Sequence, residues 1–238
     1  MTDITSPYYP YYKVHEAYFG FDQFAYFPKK ICDYLIDAPQ GLYTPPDDNS
    51  YPRCRLWKYL YYDGARPLDD PLPTIQQKMD VLFNPEHPTE PPTDKGYRLF
   101  PQQYIKQSQT DAQTRIYCYM GRTIANAQNN TFAASVIFDV FTYYGYELNT
   151  KTDVYSRSGA IVSALIESLH GVCMDGIGTF QMAKQLHPDS GTRAIFDGDT
   201  NVGHELVIGL EMSATVNRDV QTFANAPSFN NQNNVKIV

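Results

Sequence analysis

The residues Ser156-Arg157-Ser158-Gly159-Ala160-Ile161-Val162-Ser163-Ala164-Leu165-Ile166-Glu167-Ser168-Leu169-His170-Gly171 place Ile161, Leu165 and Leu169 at intervals of four. That spacing predicts a helix. Ser156 or Ser158 is positioned to accept a hydrogen bond from the first free backbone N–H groups, and Gly171 to take the left-handed conformation that ends the helix. Residues 176–183 then have strand character, and Glu205-Leu206-Val207-Ile208-Gly209-Leu210-Glu211-Met212 alternates more cleanly. Leu206, Ile208, Leu210 and Met212 share one face, which is expected to lie under the helix. The other face, with Glu205, Val207, Gly209 and Glu211, is expected to be wet or to meet a partner.

Working back from this unit, residues 114–120 and 132–144 read as two strands joined by a polar turn at 126–131, a pattern that predicts a hairpin. Residues 96–101 read as a strand or turn that closes a proline-rich loop over 84–95. Before the loop, Pro73-Thr74 opens a short helix with Ile75, Met79 and Leu82 on one face. Arg55 to Tyr62 alternates in a way that predicts a strand. Residues 22–37 carry Phe24, Phe27, Ile31, Tyr34 and Leu35 at near-helical spacing, with a break and a helix start at Pro28. The expected fold class is α+β, a mostly antiparallel β-sheet with packed helices, preceded by an irregular Tyr/Pro-rich extension. The expected division is 1–95, 96–215 as the core, and 216–238 as an Asn-rich tail.

At 238 residues the chain suffices for one sizeable core, and 42% hydrophobic with 19% charged residues describes a soluble globular protein. No apolar run approaches a membrane span, and no signal peptide precedes Met1-Thr2-Asp3, so the protein is expected to stay where it is made. Cys32, Cys54, Cys118 and Cys173 lack paired spacing and are expected to be reduced, buried thiols; zinc is not expected. A net charge of −7 argues against tight nucleic-acid binding, though not against a surface past which DNA slides. Of 20 tyrosines, 12 precede position 63. Tyr8, Tyr9, Tyr11, Tyr12, Phe19 and Phe21 lie in an extended Pro/Tyr arm with no period that would bury it, and they are the expected interface residues.

Candidate chemistry is sparse. Asp197, Asp199 and Asn201 have the D-x-D-x-N spacing of a calcium loop, but Val202 stands where the turn glycine belongs and Ile208 where the closing glutamate belongs. A hairpin loop is the expected reading. His187, Asp189, Arg193 and His204 flank that loop as an imaginable acid/base cluster without a nucleophile elbow or phosphate loop. Asp139 interrupts an apolar strand and calls for a partner, with Arg115 and Arg157 as candidates. No catalytic residue, cofactor or metal is expected, and the chain is not expected to be an enzyme.

The pattern carried by residues 135–143, 157–171, 176–180 and 206–212, a hairpin, a helix and then two strands with a long loop between the last pair, resembles the tail-terminator and tail-completion (neck) family of tailed bacteriophages. The resemblance covers residues 96–215, about half of the chain. It implies a structural virion protein forming a homo-oligomeric ring, commonly a hexamer, at the head–tail interface or tail end. Such a ring stops tail-tube growth and joins tail to neck, with the tail tube protein and head-side neck or adaptor proteins as partners. It is assembled in the host cytoplasm and located in the virion, has no membrane partner, and lets DNA pass through its lumen without specific binding. The long Tyr/Pro-rich N-terminal part departs from the family's minimal fold. The alternative expectation is a carbohydrate- or small-molecule-binding module, or a hydrolase of unfamiliar type, with tyrosines, Trp57, Asp47, Asp48, Asp69 and Asp70 lining a groove.

Overall fold

The structure, a computed structural model, describes residues 21–36, 47–103, 112–126, 131–148, 156–174 and 177–213. The expected interface residues Tyr8, Tyr9, Tyr11, Tyr12 and Phe19 and the Asn-rich tail lie outside them; Phe21 begins a 3-10 turn, Phe21–Tyr26. The fold is α+β, a curled sheet of seven strands with helices on one face.

The helices are α1 (Phe27–Ile36), α2 (Pro52–Tyr61), α3 (Ile75–Asp80), α4 (Tyr144–Leu148) and α5 (Arg157–Leu169). The strands are β1 (Leu99–Phe100), β2 (Arg115–Asn126), β3 (Thr131–Tyr143), β4 (Cys173–Met174), β5 (Gly178–Gln181), β6 (Gly191–Asp197) and β7 (Asn201–Ser213). The order in the sheet is β1-β2-β3-β7-β5-β4, and β6 joins β7 beside β5. β1 runs parallel to β2, and the other pairings are antiparallel.

The helix α5 forms as its sequence predicts. Ser156 accepts from the backbone N–H of Gly159 at 3.0 Å, and Gly171, at φ 80°, turns the chain out of the helix. Its apolar stripe, Ile161, Leu165 and Leu169, is buried with Leu206, Ile208 and Leu210 of β7 and with Val136, Phe138 and Val140 of β3. Strands β2 and β3 pair antiparallel as the expected hairpin requires, with Asn126 opposite Thr131 and a register shift between Met120 and Thr123; residues 127–130 of the expected turn lie outside the described residues. The long β3–β7 ladder needs Gly203 where it passes β3. A Cβ there would stand inside the contact radius of the Val140 carbonyl oxygen.

The chain before the hairpin shares this core. Phe27, Ile31, Leu35, Leu56, Trp57, Leu60 and Val81 belong to the same buried cluster as the strands. Trp57 is fully buried, and its indole N–H donates to the Leu35 carbonyl at 2.6 Å, which ties α2 to α1. The Lys78 ammonium sits 5.3 Å from the Trp57 ring centroid and ties in α3.

Four expectations change. Arg55 to Tyr61 belong to helix α2 and not to a strand, and Tyr62 is the residue that ends the helix. Pro52 occupies its first turn, and Cys54, Leu56, Trp57, Lys58, Tyr59, Leu60 and Tyr61 are all buried, so both parities are apolar because the helix is enclosed on several sides. Helix α3 turns the other way from its apolar stripe. Ile75 and Met79 are exposed while Lys78 is buried, with its ammonium over the Trp57 ring. The face of β7 that carries Glu205, Val207 and Gly209 is dry. The segment over residues 183–190 lies across it, with Leu186 and His187 against Gly209. Finally, Cys32, Cys54 and Cys118 are buried free thiols as expected, but Cys173 is exposed on the short strand β4.

Candidate functional site

The face of the sheet opposite the helices holds the most concentrated chemistry. Register places four residues in one row across four strands: Tyr117 of β2, Asp139 of β3, Glu205 of β7 and Arg193 of β6. Tyr119, one step along on the same face, donates its hydroxyl to the Asp139 carboxylate at 3.0 Å. Arg193 donates to Glu205 at 2.6 Å. Asp139 and Glu205 are each 8% exposed, whereas the Arg193 side chain is 72% exposed. Burial pushes the Asp139 carboxyl up to about 6; the Tyr119 hydrogen bond works against this and the facing Glu205 adds to it. Burial, with the Asp139 charge next, pushes the Tyr119 phenol well above its ordinary value. Beside the row, Tyr97, Phe100, Tyr117 and Phe141 form a separate aromatic cluster, with Phe100 and Tyr117 stacked at 4.6 Å.

This arrangement corrects the expected partners of Asp139, which are Tyr119 and the Glu205–Arg193 pair. Arg115 donates to Gln113 at 3.2 Å. Arg157 donates to the carbonyls of Tyr62 and Gly64 and lies 5.2 Å from the Tyr146 ring centroid. Both arginines are thereby engaged elsewhere. Register between distant strands sets the pairing, and no local spacing reports it.

The acid/base cluster separates onto two faces. His187 is fully buried against the back of β7 and pairs through Nε2 with the Arg122 carbonyl at 3.0 Å, while its Nδ1 accepts from the Asp189 backbone at 3.3 Å. Arg193 is paired with Glu205. His204 lies on the helix side, where its Nδ1 is 2.8 Å from Ser158 Oγ. Strand alternation sends His204 and Glu205 to opposite sides.

Ser158, His204 and Glu147 are three residue types of a hydrolytic triad in a different wiring. Ser158 donates its hydroxyl to Glu147 Oε1 at 2.8 Å and its backbone N–H to Glu147 Oε2 at 2.9 Å. Ser156 also donates to Glu147. With the Ser158 proton committed, the Nδ1–H of His204 donates to Ser158 Oγ. A triad needs the carboxylate on the imidazole and the serine on Nε2. Here the carboxylate caps the N-terminus of α5, where the helix dipole favours a negative charge.

Asp197, Asp199 and Asn201 lie at the β6–β7 hairpin, where Asp197 pairs with Asn201 and Gly198 turns at φ 62°. Among the described residues, no group of three His, Cys, Asp or Glu side chains is placed to hold a metal ion, and no helix is long and apolar enough to cross a membrane. Of the residues expected to line a sugar groove, the 47–49 segment is tied to the 68–72 segment: Asp47 accepts from the Leu72 N–H at 3.0 Å, and Asn49 donates to the Leu68 carbonyl at 3.1 Å. Trp57 is buried, and Asp47 pairs with Lys58 at 2.6 Å, which holds its carboxyl below the ordinary value. A polar cleft lies between Asp63, Thr93, Asp94, Lys95, Arg98 and Gln113. Its central guanidinium, Arg98, is 1% exposed and already spent on Asp63, at 3.0 and 2.7 Å, and on the carbonyls of Leu60 and Lys95. None of these groupings was visible as a local motif. Glu147 is nine residues from Ser156 and Asp63 is thirty-five from Arg98, so only the tertiary fold brings them together.

No curated protein and no solved structure matches the chain. Residues 54–193 match the YomW family, a span that starts in α2, includes the hairpin and α5, and ends in β6. On that match over more than half of its length, the chain belongs to the phage-associated YomW family.

Proposed function

We propose that this protein is a structural component of a tailed-phage virion, a homo-oligomeric ring at the head–tail interface or tail end. In that place it terminates the tail tube and joins tail to neck. The observation that carries the reading is the order of elements within a phage-associated chain: a long hairpin, a helix laid across it, and a closing strand that returns beside β3. The polar groups support it. Arg98, Arg157, His187, Ser158 and Glu205 are each engaged by groups of the chain itself. A net charge of −7 suits a lumen through which DNA passes without adhering. Ring closure requires head-to-tail contacts between unlike surfaces of neighbouring copies.

Native mass spectrometry of the purified chain, with negative-stain images of the same sample, tests this. A closed ring of about six subunits with a central hole is expected. A monodisperse 27.1 kDa species that does not assemble when purified tail tubes are added overturns it.

A further inference from the structure

We infer that the open edge of β6 receives the N-terminal arm of a neighbouring copy, residues 11–19, as an added strand. The inference rests on the ring reading above and names the contact that closes the ring.

The sheet is asymmetric at its edges. Beyond β1 the edge is sealed: Leu82 bridges Leu99, Phe83 donates its N–H to the Leu99 carbonyl at 2.9 Å, and Leu99 donates back to Val81 at 3.1 Å. At the other end β4 has two residues. The strand β6 has seven, and among the described residues it pairs only with β7, in continuous register. It carries no proline or bulge, and its charged side chains are Arg193, paired with Glu205, and Asp197. Its side chains are presented outward as well: Thr192, Arg193 and Ala194 are exposed, and Phe196 is 74% exposed. The exposed Phe196 gives that edge an apolar side chain which an added strand could cover.

A ring made by continuing the sheet from copy to copy needs a second edge as accessible as β6, and at the far end β1 and the 81–83 segment cover the start of β2. A second copy of β6 would pair with it about a two-fold axis and make a closed dimer, not a ring. An extended segment supplies the unlike half of a head-to-tail contact. Tyr11-Tyr12-Lys13-Val14-His15-Glu16-Ala17-Tyr18-Phe19 has neither proline nor glycine and is rich in aromatic and β-branched residues, the composition of a strand. Pro7 and Pro10 limit it on one side. The residues before Phe21 reach on the order of 60–70 Å when extended. A chain of this size is roughly 40 Å across, so the arm spans to an adjacent subunit. Strand addition lets the backbone supply affinity and the alternate side chains supply specificity. Glu16 answers Arg193 in charge, and the tyrosines answer Phe196 as cross-strand aromatic partners.

The test is disulfide trapping in full-length protein carrying Cys173→Ala, which removes the exposed native thiol. Ala194→Cys in one preparation is mixed with Tyr12→Cys, Val14→Cys or Glu16→Cys in another, assembled together, and oxidised. The expected result is a covalent species of about twice 27.1 kDa on a non-reducing gel for at least one arm position. Deleting residues 2–19 is expected to collapse the assembly to monomers with an unchanged circular dichroism spectrum. A ring that forms with no cross-link at any arm position, or that survives the deletion, overturns the inference and leaves the ring reading standing. Doubly substituted chains that cross-link only within themselves also overturn it. A parent protein that is monomeric in the mass measurement overturns the ring reading first.

Discussion

Asp139→Asn isolates the cost of holding a carboxylate in the back of the sheet. The folded protein raises this group from 3.8 to about 6, chiefly by burial. For a group so raised, the folded state binds the proton more tightly than the unfolded chain does. Its stabilising contribution is therefore complete below about pH 3.8 and is lost as pH rises through about 6. The shift corresponds to about 3 kcal/mol in full. The exposed Arg193 at the end of the row admits solvent screening, which reduces the figure to about 1–2 kcal/mol. Asparagine keeps the acceptor that Tyr119 uses and removes the charge opposite Glu205. The variant is expected to match the parent at pH 4 and to exceed it by about 1–2 kcal/mol at pH 8, or about 3–6 °C in Tm for a chain of this length. Urea unfolding followed by tryptophan fluorescence reads this directly, because Trp57 is fully buried. An Asp139→Asn protein less stable than the parent at pH 8 would refute the reasoning, since it would make the carboxylate a net ion-pair partner of Arg193.

Arg98→Met removes a guanidinium that is 1% exposed and leaves Asp63 and the Leu60 carbonyl without their donor, so chemical denaturation is expected to show a loss of about 3–5 kcal/mol. Ser156→Ala removes the side-chain acceptor at the start of α5 and one donor to Glu147, for a loss of about 1 kcal/mol by the same measurement. Gly203→Ala forces a Cβ into the Val140 carbonyl, so soluble expression and Tm are both expected to fall sharply, whereas Gly191→Ala, with open space around the added carbon, leaves them unchanged.

The parts of the fold legible in the sequence were those set by local chemistry. The helix α5 announces its serine cap, its stripe and its terminal glycine within sixteen residues, and β7 announces its inner face by alternation. Arg55 to Tyr62 misleads because a helix enclosed by α1, α5 and the following turns has no polar face to reveal its period. Ile75 and Met79 mislead for a different reason: the side chain that α3 turns inward is Lys78, whose ammonium sits over the Trp57 ring, and the apolar pair is left exposed. The row of Tyr117, Asp139, Glu205 and Arg193 is legible only as isolated charges. Its members come from four strands whose register is fixed by packing across the whole sheet.

The same long-range pairing bears on where function resides. A site that acts on a substrate holds polar groups in reserve, poised to change partners during the reaction. In this chain the strongest groups are committed internally: Glu147 to the serines of α5, Arg98 to Asp63, Arg193 to Glu205, His187 to Arg122. Among the described residues, a strand edge and exposed aromatic surface come together along β6 and at Phe196. Backbone edges recognise extended chains, and they do so without catalytic groups. On the proposed strand addition, residues 11–19 are the complementary half, and a single polypeptide would encode both halves of the contact.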